Sequence, residues 1–589
     1  MPIRFFRQFR ADSATELPTH ISTTAARALL ITGLIAAALV AGANYGCGLA
    51  GKIWRHNGEQ LEVAKPPPPA PGPHVIIFAM DGGCYEQLMN VVRSGAAPNI
   101  AALLGKEKGA GLFEHGYSAP NALSMLPSST IADWSSVFTG DPPAYDGVTG
   151  DEWFIRETGQ FFAPVPISVK DTSDWSRTIT DGLVGAQLKS PTMFELVGLR
   201  TYVSLGLVYR GTTIYTTVAP ASFATLMTDL VTGKLKGETA EKSVSATIDR
   251  ASVQKLIDTI NQHGLPNLQV VYFPGIDIFT HASVNPLEQQ EHYLAKVTDP
   301  LIGQVLEVYR QKDMLGQTYV FFVSDHGHTP TMNDTDHMLG TGDDSPFGLV
   351  TKAGFRVRPP KLKLADSEQD YQAVLAYQGF MAYVYLADRS SCAKPGQRCD
   401  WRKPPRFEQD VMPVARAFYR TNRSGRPIAR LKGTIDLIFA RRPVGPGQDA
   451  RPFEIYDGKG LVPIADYLAS HRRPDLIELE QRMKWLGAGP YGNRAGDIVL
   501  LARSGMQVPI EKRYYFAAET HYSWHGSADL HDGNIPFILA EENGSGERLR
   551  GIVKQVADDS PTELDVTPLV RALLAAAKPA PPVTAQASP

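Results

Sequence analysis

Six apolar residues, Val75-Ile76-Ile77-Phe78-Ala79-Met80, run without interruption into Asp81-Gly82-Gly83. A continuous apolar run reads as a strand buried on both faces. An acidic residue where such a strand ends, followed by a glycine turn, sets a carboxylate at the mouth of a sheet, where open α/β sheets bind their ligands. The pattern recurs at Tyr319-Val320-Phe321-Phe322-Val323-Ser324-Asp325-His326-Gly327, and a variant stands at Val270-Val271-Tyr272-Phe273-Pro274-Gly275-Ile276-Asp277. Several strands ending in acids or histidines predict a metal site assembled along one sheet edge.

The length of 589 residues allows a large core plus a second domain or a sizeable insertion. With 58 basic and 61 acidic residues, the net charge of −3 excludes a nucleic-acid binder working by bulk charge. No repeat of solenoid or propeller period is present.

Arg4, Arg7, Arg10 and Arg27 precede an uncharged run over 28–51, closed by Lys52 and Arg55. That run is long enough for one hydrophobic membrane-spanning helix, which needs roughly 20 residues. The arginines favour an N-terminal segment (1–27) kept in the cytoplasm. The alternatives are a signal peptide cleaved near Ala41-Gly42-Ala43 and lipidation at Cys47. All of them export the rest of the chain, so the expected place is the cell envelope, with the catalytic body tethered in the periplasm or secreted after cleavage. A stiff proline-rich linker follows, within 52–73, and the tail over 578–589 reads as disordered. Cys392 and Cys399, close together in a polar loop, read as a disulfide of an exported protein. Cys84 reads as a small buried residue.

Pro127-Ser128-Ser129-Thr130 leads into Ile131, Trp134, Val137 and Phe138 at helical spacing, which predicts a helix from about Thr130 to before Gly140. A hydroxyl at a helix start meets free N–H groups and the positive dipole end, a place for a phosphate or a developing alkoxide. A plain N-cap is the simpler account of Thr130 taken alone. A βα alternation follows, with a helix at 191–197, a strand at 202–207, a helix at 251–262 and one over 289–312. Asp277 and His281 lie four apart, on one face of a helical turn, where both could reach one metal; taken alone, a local Asp–His hydrogen bond is the simpler account. Near the C-terminus His521, His525 and His531 are all candidates, and spacing does not separate them. Asp/His sets suit Zn²⁺, with Mn²⁺ or Fe as alternatives. Two such ions could clamp an in-line phosphoryl displacement, with a hydroxyl as nucleophile.

The order Asp81, Thr130, Asp277-x-x-x-His281, Asp325-His326-Gly327, His525-Gly526-Ser527 resembles the alkaline phosphatase superfamily, and within it the type I phosphodiesterase/nucleotide pyrophosphatase family. Thr130 with Thr139, Gly140 and Pro142, and the closing Asp565-Val566-Thr567-Pro568, are similar to that family's motifs. The resemblance covers roughly residues 74–350 and 495–575. It implies an α/β fold, an alkaline-phosphatase-like three-layer sandwich with a mostly parallel central sheet and an inserted cap. It also implies that Asp277, His281 and His525 hold one metal, and that Asp81, Asp325 and His326 hold the other. Thr130 would lie between the two metals, bound to metal and attacking phosphorus. The domain reading is a catalytic core over 74–354 and 496–577 with the cap inserted at 355–495. Arg441, Arg442 and Arg451 of the cap could meet an anionic substrate, though a solvated face is the simpler account. The strand at 498–502 is expected to return the chain to the core.

Two departures stand out. The family's usual Asn three residues after the nucleophile, which binds a phosphoryl oxygen, is Asp133 here. An ionised carboxylate at that place repels phosphate; a protonated one, or one facing a cation, does not. The usual His-Gly is Asp146-Gly147. A sulfatase modification motif is missing around Thr130. The expected activity is metal-dependent hydrolysis of a phosphoric ester, of the phosphodiesterase/nucleotide pyrophosphatase type, on a small molecule or an envelope substrate. The alternatives are a phosphomonoesterase, an envelope phosphotransferase and a catalytically silent metal-binding protein. No nucleic-acid or protein partner is expected.

Overall fold

The run that ends at Asp81 forms the centre of a ten-stranded sheet. The structure, a computed structural model, describes residues 61–62, 71–109, 111–218, 239–557 and 560–575. The expected span over 28–51, most of the proline-rich linker and the tail over 578–589 lie outside these residues. Among the described residues no helix is long and apolar enough to cross a membrane.

In chain order the strands that matter are β1 (His74–Met80), β2 (Thr201–Ser204), β3 (Ile214–Thr216), β4 (Leu268–Phe273) and β5 (Thr318–Val323) of the large sheet. Then come β6 (Ala373–Gln378), β7 (Met381–Leu386), β8 (Ile435–Ala440), β9 (Glu454–Tyr456), β10 (Leu461–Val462) and β11 (Ile498–Ala502), and finally β12 (Phe537–Glu541). The helices are α1 (Tyr85–Arg93), α2 (Thr130–Thr139), α3 (Val244–His263), α4 (Gly275–Ala282), α5 (Asp299–Gln311), α6 (Leu479–Gly487) and α7 (Val566–Leu574).

Strands run β3-β2-β4-β1-β5 in parallel, and β12 joins β5 antiparallel. Antiparallel strands also close both edges, so the expected mostly parallel sheet is parallel at its centre and antiparallel at its rims. β1 is buried along its whole length. Val75, Ile77 and Ala79 face one core, with α2 and α7; Ile76, Phe78 and Met80 face the other, with α1, α3 and α5. This gives the three layers. Phe78 stacks on Phe322 at 5.4 Å and Phe273 at 6.3 Å, tying β5, β1 and β4 on one face. Burying each such side chain contributes about 1.5–3 kcal/mol.

Register decides where the chemistry falls. Phe273 pairs with Met80, and Val323 with Ala79, so β4, β1 and β5 end together. Val323 also pairs with Phe537, so antiparallel β12 begins at that same edge. The segments carrying Asp81, Asp277, Asp325 and His525 therefore meet along one edge of the sheet.

The second sheet is antiparallel, in the order β6-β7-β11-β8-β9-β10. Its β11, residues 498–502, pairs with β7 and β8 instead of returning to the large sheet as expected. The long helix expected over 289–312 is divided by a π turn at Leu294–Thr298 ahead of α5. Cys392 and Cys399 are bonded, and Cys84 is free and buried.

Candidate functional site

Thr130 opens α2, with Ser129 extended ahead of it and Gly140 left-handed (φ 77°) behind, as the spacing predicted. Every residue of α2 is buried. Ile131, Trp134, Val137 and Phe138 seat it in the core, and Trp134 meets the edge of Tyr272 at 5.7 Å. The Ile131 N–H donates to Asp151 at 2.8 Å, so a carboxylate already uses one donor of this helix start. Ahead of α2, the Arg482 guanidinium from α6 donates to Ser128 Oγ at 2.8 Å and to the Met125 carbonyl at 2.9 Å. Ser128 Oγ donates in turn to the Ser527 carbonyl at 2.9 Å, two residues beyond His525. The loop that presents Thr130 is thus pinned from two remote segments.

The predicted residues converge. Asp81, Asp325 and His326 form one group of donor atoms all within 4.8 Å of each other. Asp277 is the hub of two others, one with His326 and His525 and one with His281 and His328. His281 and His525 reach Asp277 Oδ1 at 3.2 and 3.8 Å, each within a separate group. Thr130 Oγ1 lies 3.2 Å from His326 Nε2. His521 packs its ring 5.2 Å from that of His281, and His531 faces Glu86 at 3.7 Å; neither belongs to these groups.

The histidines are held in one tautomer. Nδ1 of His281, His326 and His525 lies 2.6, 3.1 and 2.9 Å from the backbone carbonyls of Ser523, Gly327 and Ser128. Carbonyls only accept, so Nδ1 carries the proton, and the Nε2 lone pair faces the carboxylates. Metal-binding histidines are oriented in this way. Asp81 Oδ1, Asp277 Oδ1, Asp325 Oδ2 and His328 Nε2 are buried with no hydrogen-bond partner among the described residues. Buried polar atoms left in this state are costly. Acceptors facing acceptors at one point fit divalent cations, and the Asp/His donor set suits them.

Electrostatics agree. Burial, then the charges of Asp325 and Asp277, push the Asp81 carboxyl well above its usual range, although Tyr272 O–H donates to it. Burial pushes Asp325 up to about 7, against hydrogen bonds that include one from the Gly82 N–H. For Asp277 burial also pushes upward, but the neighbouring His281 and His328 imidazoles outweigh it and hold the group well below its usual range. Burial pushes His326 down to about 3.

Sequence reasoning missed His328, whose Nε2 lies 3.1 Å from Asp277 Oδ1. The signal was the spacing: two residues past His326, on the extended chain entering Thr329–Pro330, which pairs with Ser523–Trp524 beside His525. Asp151, Tyr272 and Arg482 were missed as well; none of the three carried a local signal.

Asp133 is fully buried one turn past Thr130, and neither of its carboxylate oxygens has a hydrogen-bond partner among the described residues. Burial, then the Glu563 and Asp325 charges, push its carboxyl well above the usual range, against the pull of Arg482.

A sheet edge carrying converging carboxylates and imidazoles beside a buried hydroxyl is a candidate metal site. Residues 75–391 match the family model described as type I phosphodiesterase / nucleotide pyrophosphatase, and the chain belongs to that family. It is a hydrolase acting on phosphoric esters. No curated protein matches the chain. Among solved structures it is similar to murine ectonucleotide pyrophosphatase / phosphodiesterase 5, at 11% identity and TM-score 0.47, over 86% of this chain and 96% of that one. A second structure of that murine protein, an inactive variant in complex with AMP, matches at the same identity and TM-score over 87% and 96%.

Proposed function

We propose that the chain hydrolyses phosphoric diesters with Thr130 as nucleophile and two divalent cations, zinc foremost, at the sheet edge. Asp81, Asp325 and His326 would hold one cation, and Asp277, His281 and His525 the other. The observation that carries this reading is the position of Thr130 Oγ1, buried at the start of α2 and 3.2 Å from His326, the imidazole common to two of the ligand-type groups. Bound there, such cations would offset phosphate charge and polarise the attacking and leaving oxygens.

The chain's own residues supply the rest. Thr130 Oγ1 forms a bond to phosphorus as the bond to the leaving oxygen breaks. The hydroxyl proton passes to solvent, and the leaving oxygen is protonated as it departs. Water then attacks phosphorus, the bond to Thr130 Oγ1 breaks, Oγ1 regains a proton, and the phosphoric monoester is released. Asp151, through the Ile131 N–H, and Arg482, through the preceding loop, fix the direction of Thr130. Asp133, kept neutral by burial and by Glu563, would donate a hydrogen bond to a phosphoryl oxygen, as the family's Asn does. The second sheet supports a cap inserted after residue 355, one that also takes in β11 beyond the expected bound at 495, and the bonded Cys392–Cys399 supports export to an oxidising compartment.

Hydrolysis of a chromogenic diester and of its matching monoester, each with and without added zinc, tests the proposal. The diester should turn over faster and need zinc, and Thr130→Ala should lower the rate at least about a thousandfold. Turnover of the monoester alone would reject the diesterase reading.

A further inference from the structure

Away from the sheet edge lies a cavity of about 620 Å³, between the hairpin of Trp153–Ile155 with Gln160–Phe162, the loop after β8 and the segment entering β11. None of the clustered Asp, His or Thr residues lines it. Its walls and mouth carry seven cationic side chains against two carboxylates, Glu157 and Asp497.

Three of the cations are buried and fixed. Arg441 donates to the carbonyls of Gly487 and Gly492, both at 2.7 Å, and lies 4.4 Å over the Phe453 ring. Arg156 donates to the Leu386 carbonyl at 2.9 Å and pairs with Asp497. Arg494 donates to the Gly147 carbonyl and lies 4.9 Å over Tyr491. The other four, Lys189, Arg402, Arg442 and Arg451, are exposed, and none has a carboxylate partner among the described residues. Arg442 is held 4.3 Å over Phe407.

The two carboxylates do not balance this charge. Asp497 serves Arg156 and the Leu386 N–H, and Glu157 accepts from Asn493. The cations act on one another: burial, then the positive charges of Arg494 and Arg210, hold Lys189 below its usual range. Burial pushes Arg441 down to about 10, with Arg156 adding to the effect against Asp497. Gathering like charges around one concavity costs free energy that an anion offsets, and guanidinium forks match phosphate and carboxylate oxygens in pairs. Trp401 and Pro404, Pro405, Pro443 and Pro490 add apolar lining, which suits a compact ligand with some carbon framework.

We infer that this cavity binds a small polyanion, a molecule bearing two or more phosphate, sulfate or carboxylate groups, at a site separate from the hydrolytic centre. It takes up Arg441, Arg442 and Arg451, the basic residues for which the sequence favoured a solvated face over an anion.

Calorimetric titration of the full-length chain with sucrose octasulfate, which carries no phosphoric ester, tests this, with sucrose as the neutral control. The expected result is one site per chain, no response to sucrose and binding that weakens with added salt. Arg442→Glu with Arg451→Glu should weaken it at least about tenfold. Lys189→Glu with Arg402→Glu, a second pair at the mouth, should do the same if the first pair folds poorly. Arg472→Glu with Arg503→Glu, exposed and outside the cavity, changes net charge equally and should leave binding intact. Thr130→Ala should bind as the unaltered chain does. No binding, equal weakening by the outside pair, or loss of binding in Thr130→Ala would each overturn the inference.

Discussion

Thr130 Oγ1 and His326 Nε2 are 3.2 Å apart although 196 residues separate them in the chain. One opens α2 and the other follows β5, so their approach depends on how α2 seats on the sheet. Trp134 against Tyr272, and Tyr272 donating to Asp81, link that seating to the carboxylate at the end of β1.

Gly82 tests how tightly the edge is built. It has φ +65°, and a Cβ there would come within 2.5 Å of His328 Nε2 and 2.9 Å of Asp277 Cβ. Gly82→Ala should weaken metal binding about tenfold or more, by moving Asp277 and His328, and should cost about 1–2 kcal/mol in backbone strain. Chelator competition and thermal unfolding measure the two effects. Unchanged metal affinity would mean that the close approach plays no part in holding metal.

His328 Nε2, 3.1 Å from Asp277 Oδ1, limits where that carboxylate can turn. His328→Ala should weaken metal binding about 10- to 100-fold with circular dichroism unchanged, and His328→Gln should recover part of the loss because its amide still fills the space beside Asp277. Equal affinity in all three proteins would remove His328 from the site.

Asp133 predicts a pH effect on activity. Its carboxyl is pushed well above the usual range by burial and then by Glu563, so it is neutral at low pH and ionises as pH rises. The ionised form repels phosphate, so kcat/KM of the unaltered enzyme should fall on the alkaline side. Asp133→Asn cannot ionise and should lose that fall. Superimposable pH profiles would show that Asp133 does not face the substrate.

Asp249 predicts a pH effect on stability away from the site. Burial pushes its carboxyl from 3.8 up to about 7, against hydrogen bonds from Tyr293 and the Gly275 N–H. Between those values the folded chain holds a proton that the unfolded chain has lost, so this group's contribution to stability falls as pH rises. The slope is at most about 1.4 kcal/mol per pH unit. Asp249→Asn should therefore lose less stability than the unaltered chain between about pH 4 and pH 7, as measured by urea unfolding across that range. Parallel curves would contradict the shift.

The strand-end acids were legible in the sequence because parallel strands in register bring their carboxyl ends together, and each run carried its own mark. Thr130 was legible because capping residues and helical spacing are local. His525 could not be told from its neighbours by spacing alone: pairing of Ser523–Trp524 with Thr329–Pro330 selects it, and that is a tertiary event. Arg482 reaches Ser128 across 354 residues, and no local pattern marks such a contact. β11 was assigned to the wrong sheet because a short apolar run does not say which neighbour it will pair with.

The central claim is that Thr130 forms the bond to phosphorus. Rapid acid quenching of the zinc-loaded enzyme during turnover of a diester, followed by mass spectrometry of the peptide carrying Thr130, tests it most directly. The account predicts that peptide heavier by the retained phosphoryl half of the substrate, with the added mass on Thr130 and absent in Thr130→Ala. Active turnover with Thr130 unmodified, or undiminished turnover by Thr130→Ala, would contradict it.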